Sequence, residues 1–170
     1  MPEGVGEAVV AVPSKAAFSY LADPRHAPEW FAGVELAAPQ GPPGTHMTWR
    51  FVQRGGRIVP VRMAVYEPPY HFAWQTTYSS LRSNLRWTME CLPIESEPPQ
   101  TLLRMTIRLD PGLLGRLALL LTFGRSRQTL ATRAQDAAER ARDVLLEAAE
   151  PEGHQHPKRP QGRPKRRGRR

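Results

Sequence analysis

The 170-residue chain is long enough for one domain with a substantial core and too short for two comfortable ones. Its formal charge of +8 is uneven: residues 1–150 carry 16 Lys or Arg against 15 Asp or Glu, a net of +1, and residues 151–170 carry eight basic side chains against Glu152 alone, a net of +7. A single cysteine, Cys91, excludes an intramolecular disulfide and any two-cysteine metal or redox motif.

The opening MPEGVGEAVVAVPS has no basic segment and no long apolar run, so no signal peptide is expected and a cytoplasmic location is. Residues 7–12, EAVVAV, predict a short strand that stops at Pro13, with Ser14 as the N-cap of a helix through KAAFSYLAD. Asp23-Pro24 ends that helix. Pro24 suits the first position of a second short helix reaching Trp30 or Phe31, and Gly33 closes it. Phe18, Leu21, Trp30 and Phe31 are the apolar anchors around this proline corner.

From Val34 to Asp110 the pattern alternates. MTWRFVQR, a GG turn and RIVPVRMAVYE predict a hairpin, with Met47, Trp49 and Phe51 on one face and Val59, Val61, Met63 and Val65 on the matching face. Pro60 demotes its strand to an edge or a bulge. Pro68-Pro69 turns the chain into HFAWQTTY, which puts Phe72 and Trp74 on one side. SNLRWTMECL then aligns Leu85, Trp87, Met89 and Cys91, and TLLRMTIRLD aligns Leu103, Met105, Ile107 and Leu109. The sheet is expected to be antiparallel, with one apolar face and one face rich in Arg and Thr.

No proline occurs between Pro111 and Pro151. Leu113, Leu117, Leu120, Phe123, Leu130, Ala134, Ala137, Ala141, Leu145 and Ala148 form the stripe of a long amphipathic helix, with Gly124 a candidate kink. Its most apolar stretch, Leu113 to Phe123, carries Arg116 and is about half the length of a bilayer span, so no transmembrane segment is expected. Residues 151–170 are Pro, Gly, His and basic side chains without an apolar anchor, which predicts a disordered tail behind a domain of residues 1–150. Arg outnumbers Lys 21 to 3, which suggests GC-rich codons and a bacterial source.

One strand, two short helices, about six more antiparallel strands and a long terminal helix make an α+β chain whose curved sheet must bury its apolar face against that helix. Three stretches, VPSKAAFSYLADPRHAPEWFAGV, GTHMTWRFVQRGGRIVPVRMAVYEPPYHFAWQ and GLLGRLALLL, resemble the START-like (SRPBCC) superfamily, and within it the polyketide cyclase/dehydrase and lipid-transport group. The resemblance covers most of residues 7–150. It implies the helix-grip fold, a curved antiparallel sheet of about seven strands wrapped around a long C-terminal helix, with two short helices after the first strand. It also implies a hollow for lipids, polyketides or other apolar small molecules, and no single reaction. Two features depart from the family pattern: Gly and Asp or Asn are sparse between Cys91 and Thr101, and the basic tail has no counterpart.

The inward faces supply the candidate cavity: Trp30, Phe31, Met47, Trp49, Phe51, Met63, Phe72, Trp74, Trp87, Met89 and Met105. The plain alternative is a packed core, but Met is flexible and polarizable and suits a cavity that admits more than one apolar shape. Candidate acids and bases are His26, His46, His71, Glu29, Tyr66, Tyr78 and Asp110. No pair of them has metal-ligand spacing, no Gly-rich loop resembles a phosphate cradle, and GxSxG is absent, so no metal or cofactor is expected. Arg62 and Tyr66 alternate opposite to Met63 and are expected outside, unless a bulge at Pro60 reverses the register. The outward Arg50, Arg86, Arg104 and Arg108 interleave with Thr88, Thr106 and Glu90, which points to cross-strand pairing more than to an anion surface. In the tail, Lys158, Arg159, Arg163, Lys165, Arg166, Arg167, Arg169 and Arg170 would attract nucleic acid or an anionic membrane without regard to sequence. The expected function is binding or transport of a hydrophobic small molecule. The alternatives are a cofactor-independent polyketide cyclase or dehydratase in the same cavity and, lower, an interaction protein acting through the tail.

Overall fold

The structure, a computed structural model, describes residues 1–38, 44, 46–78 and 83–149, with residues 113–126 described by their backbone alone. The expected basic tail lies outside the described residues. Strand β1 (Glu3–Val10) leads through Pro13 into helix α1 (Ser14–Leu21). A 3-10 turn (Pro24–His26) and helix α2 (Ala27–Trp30) follow. Six strands come next: β2 (Val34–Ala37), β3 (Thr48–Gln53), β4 (Ile58–Glu67), β5 (His71–Thr76), β6 (Asn84–Ile94) and β7 (Gln100–Asp110). Helix α3 (Leu113–Ala149) ends the described chain and runs through Gly124 as one element.

All seven strands form one antiparallel sheet in the order β1-β7-β6-β5-β4-β3-β2, so the first strand returns to lie beside the last. This curled sheet, the long terminal helix and the two short helices together make the helix-grip arrangement. The apolar alternation holds along β5, β6 and β7: Phe72, Trp74, Trp87, Met89, Cys91, Leu103, Met105 and Ile107 are all buried. They share one core with the inner stripe of α3, where Leu130, Ala134, Ala137, Ala138, Ala141 and Leu145 are buried. Ala148, assigned to that stripe from its spacing, is exposed, because the helix outruns the sheet there. The side chains of Leu113, Leu117, Leu120 and Phe123 fall outside those described.

Four local expectations change. First, β1 starts at Glu3 rather than residue 7, and its inward positions are Gly4, Gly6, Ala8 and Val10. A Cβ on Gly4 would stand 2.2 Å from the Ala131 amide nitrogen, and one on Gly6 would stand 2.2 Å from that of Gln135. Strand and helix therefore pack backbone against backbone. Second, Ser14 is the first helical residue and Pro13 takes the cap position, in extended conformation and with no side-chain cap bond. Asp23 does cap the next turn, accepting from the Arg25 amide at 3.0 Å. Third, β4 is an interior strand despite Pro60, which sits opposite Arg50 and uses its carbonyl to accept from the Thr77 amide at 3.0 Å. Fourth, the β4 irregularity lies between Met63 and Val65, not at Pro60. Beyond it Tyr66 pairs with buried Phe72 and packs on Phe18 at a ring-centroid distance of 5.4 Å, so Tyr66 turns inward while Arg62 stays exposed.

Candidate functional site

The proline corner plugs one end of the curled sheet. Tyr20 of α1 donates a hydrogen bond to Glu29, His26 Nδ1 lies 3.1 Å from the other Glu29 oxygen, and the Tyr20 and His26 rings stack at 4.0 Å. Burial and this bond to Glu29 push the Tyr20 phenol up, so it stays protonated across the physiological range. These contacts clasp α1 to α2 and aim Trp30 and Phe31 at the sheet.

There they meet an aromatic cluster centred on Trp74. Its ring lies 5.3 Å from Trp30, 5.6 Å from Trp49, 5.5 Å from Phe51 and 5.3 Å from Phe72. Trp30, Trp49, Phe51, Met63, Phe72, Trp74, Met89 and Met105 are all buried and belong to one contiguous core. Met47 packs half-buried at its margin. The indole N–H groups of Trp30, Trp49 and Trp74 are buried with no hydrogen-bond partner among the described residues.

An open cavity of about 450 Å³ lies beside this cluster, between the sheet and α3. Its apolar wall is Phe31 and Ala32 after α2, Leu85 and Trp87 on β6, Ile107 on β7, and Leu130 and Ala137 on α3. Of the eleven side chains expected to form a cavity, Phe31 and Trp87 line this one; the other nine are not among its described lining residues. Leu85 and Ile107 share the inward face of their strands, but alternation gives a side chain's direction, not whether it meets an atom or a void. Gln53, Arg54, Arg133 and Asp136 form the polar part of the wall. Arg54 sits on the β3–β4 turn, and Arg133 and Asp136 flank the α3 stripe, positions that read as plain solvated surface. A second hollow, of about 630 Å³, lies along the β2–β4 end of the sheet beside exposed Leu36 and Ile58, and the expected cavity residue Trp49 is among its described lining residues.

The candidate acids and bases lie elsewhere. His71 Nδ1 is 3.3 Å from Glu67, His46 is exposed at the start of β3, and Asp110 is exposed at the end of β7. Cys91 is fully buried, and burial pushes its thiol up to about 12, which leaves no thiolate for nucleophilic chemistry. Among the described residues no three His, Cys, Asp or Glu side chains are grouped to hold a metal ion. No described helix is long and apolar enough to cross a membrane. The outward arginines divide into two kinds. Arg104 pairs with Glu7 at 2.7 Å and Glu90 at 3.8 Å, whereas Arg86 stands directly across from Arg108.

This architecture has many counterparts among solved structures. TTHA0849 from Thermus thermophilus superposes with a TM-score of 0.66 at 14% identity, covering 87% of this chain and 99% of that one. A truncated norcoclaurine synthase from Thalictrum flavum gives 0.62 at 11% identity, over 85% and 93% of the two chains. The protein MLL2253 from Mesorhizobium loti gives 0.62 at 14% identity, over 85% and 97%. At such identities the likeness is one of fold. No curated protein matches the sequence. The sequence model of the family described as polyketide cyclase / dehydrase and lipid transport, however, matches residues 1–153. The chain belongs to that family.

Proposed function

We propose that the chain binds or carries a hydrophobic small molecule, lipid or polyketide-like, in the cavity between the sheet and α3, and does so in the cytoplasm without a cofactor. One observation carries this reading: a hollow of about 450 Å³ whose described apolar wall is two aromatic and five aliphatic side chains. That volume falls in the range of small-molecule sites, about 300–1,000 Å³. A cyclase or dehydratase in the same place would need a side chain positioned to move protons at an enolizable ketone. None of His26, His46, His71, Glu29, Tyr66, Tyr78 or Asp110 is among the described lining residues, and the ionisable groups that are, Arg54, Arg133 and Asp136, are exposed. This favours carriage over catalysis. Native mass spectrometry of the purified chain is expected to show a co-purified apolar ligand, or uptake of one from a panel of lipids and aromatic polyketides. A chain that is empty and takes up none of them would sink the reading.

The tail supports a second, lower reading. Its eight basic residues lie outside the described structure, and their sequence favours nonspecific attraction to nucleic acid or an anionic membrane. Deleting residues 151–170 is expected to abolish salt-sensitive RNA binding and leave the thermal midpoint nearly unchanged. RNA binding that survives the deletion would refute the tail's role.

A further inference from the structure

Two cations and one carboxylate stand at the cavity, and neither cation has an acidic partner within 4.0 Å among the described residues. Arg54 and Arg133 both line it and both are exposed. Arg25, Arg104 and Arg142 each have an acidic partner within 4.0 Å, but neither of the cavity arginines has one among the described residues. They come from opposite walls. Arg54 is carried by the β3–β4 turn, where Gly55 and Gly56 take positive φ values of 85° and 79°. The Gln53 amide donates to the Arg57 carbonyl at 2.8 Å and the Gly56 amide to the Gln53 carbonyl at 2.9 Å, which fixes the turn beside the cavity. Arg133 rises from α3, with Asp136 less than one turn further along the helix. Asp136 offsets one of the two positive charges and leaves this part of the wall at +1.

Resting on the binding reading above, we propose that the ligand is amphipathic, with an apolar body against Phe31, Trp87 and Ile107 and a single anionic head held between Arg54 and Arg133. The head is a carboxylate, a phosphate or a sulfonate, the oxyanions that a guanidinium fork matches. Location favours this arrangement over a neutral ligand. A charge left at the open side keeps part of its hydration, so the desolvation cost that forbids ions in an apolar core is small here. A wholly neutral apolar ligand would instead bring apolar surface beside a net positive charge and gain nothing from it.

Two fluorescent probes with one aromatic body separate these cases: 8-anilinonaphthalene-1-sulfonate carries the anion, and N-phenyl-1-naphthylamine lacks it. At low salt the full chain is expected to bind the sulfonate about tenfold tighter than the neutral probe. The R54Q/R133Q double variant is expected to shrink that gap to about twofold, chiefly by weakening the sulfonate probe, and Asp136→Asn to widen it. The tail is identical in all these chains, so dye attracted to it cannot create the difference. Dodecanoate or dodecyl phosphate is expected to displace the sulfonate probe where dodecanol does not, and the stronger of the two acids identifies the head as carboxylate or phosphate. Equal affinities for the two probes, a gap that survives the double variant, or displacement by dodecanol as strong as by the acids would overturn the anionic head and leave the apolar cavity standing. Failure of both probes to bind would overturn the cavity reading itself.

Discussion

Gly6→Val is expected to lower the stability of the chain by about 3 kcal/mol or more, measured by urea unfolding, with Gly6→Ala already costly. The reason is position rather than backbone flexibility. A Cβ at residue 6 would stand 2.2 Å from the Gln135 nitrogen, 2.3 Å from the Ala134 carbonyl carbon and 2.4 Å from the Gln135 Cα. Those are backbone atoms of α3, so no rotamer change can make room, and helix and strand have to separate. Against a typical total of about 5–15 kcal/mol, that loss is large. The same substitution has a functional side. Leu130, Arg133, Asp136 and Ala137 line the cavity from the very stretch of α3 that Gly4 and Gly6 hold against β1. Lifting the helix widens the cavity and draws Arg133 away from Arg54. Val5→Ala, on the exposed side of the same strand, is the control and is expected to stay within about 0.5 kcal/mol of wild type. A Gly6→Ala chain that unfolds at the wild-type urea midpoint would contradict the close approach.

Trp74 gives the second large effect. Trp74→Ala is expected to cost about 3–5 kcal/mol, because the ring is fully buried and the aromatic rings around it cannot all collapse into the space. Trp74→Phe is expected to cost about 1 kcal/mol or less, a much smaller loss than the missing volume alone implies. The indole N–H of Trp74 has no acceptor among the described residues, and leaving a buried donor unpaired costs about 1–3 kcal/mol. Phenylalanine removes that donor along with part of the ring, and the two changes largely cancel. Chemical denaturation of the two variants checks this. A phenylalanine variant as unstable as the alanine one would show that the indole nitrogen is engaged after all.

Where a strand buries one face, its inward positions were legible as an alternating row, which is why β5, β6 and β7 could be read residue by residue. The first half of β1 was hidden because its inward residues are Gly4 and Gly6, which leave no apolar mark. The β4 irregularity was hidden for another reason. One extra residue near Ala64 changes no composition, yet it turns Tyr66 inward against Phe18. The candidate site was legible only in outline. Trp49 and Trp87 look alike in the sequence, each large and inward. In space they border different hollows, Trp87 the one between the sheet and α3 and Trp49 the one at the β2–β4 end of the sheet. Which hollow an inward side chain meets depends on how the elements pack in space, which no pattern along the chain encodes. Arg54 and Arg133 are about eighty positions apart in sequence, and only the fold sets them beside the same cavity.

One contact at the sheet's end bears on how copies of this chain can associate. β1 is a terminal strand, and its Glu7 backbone turns away from β7 toward α3. Gln135 meets it there: the Glu7 amide donates to Oε1 at 3.0 Å, and Nε2 donates to the Glu7 carbonyl at 3.1 Å. The glutamine amide thus occupies the place a neighbouring strand would take. A sheet can polymerise edge to edge only if each copy offers two free ends, one to receive and one to extend. With the outward backbone of Glu7 bonded to its own helix, that position of the β1 edge is not open to pair with another strand.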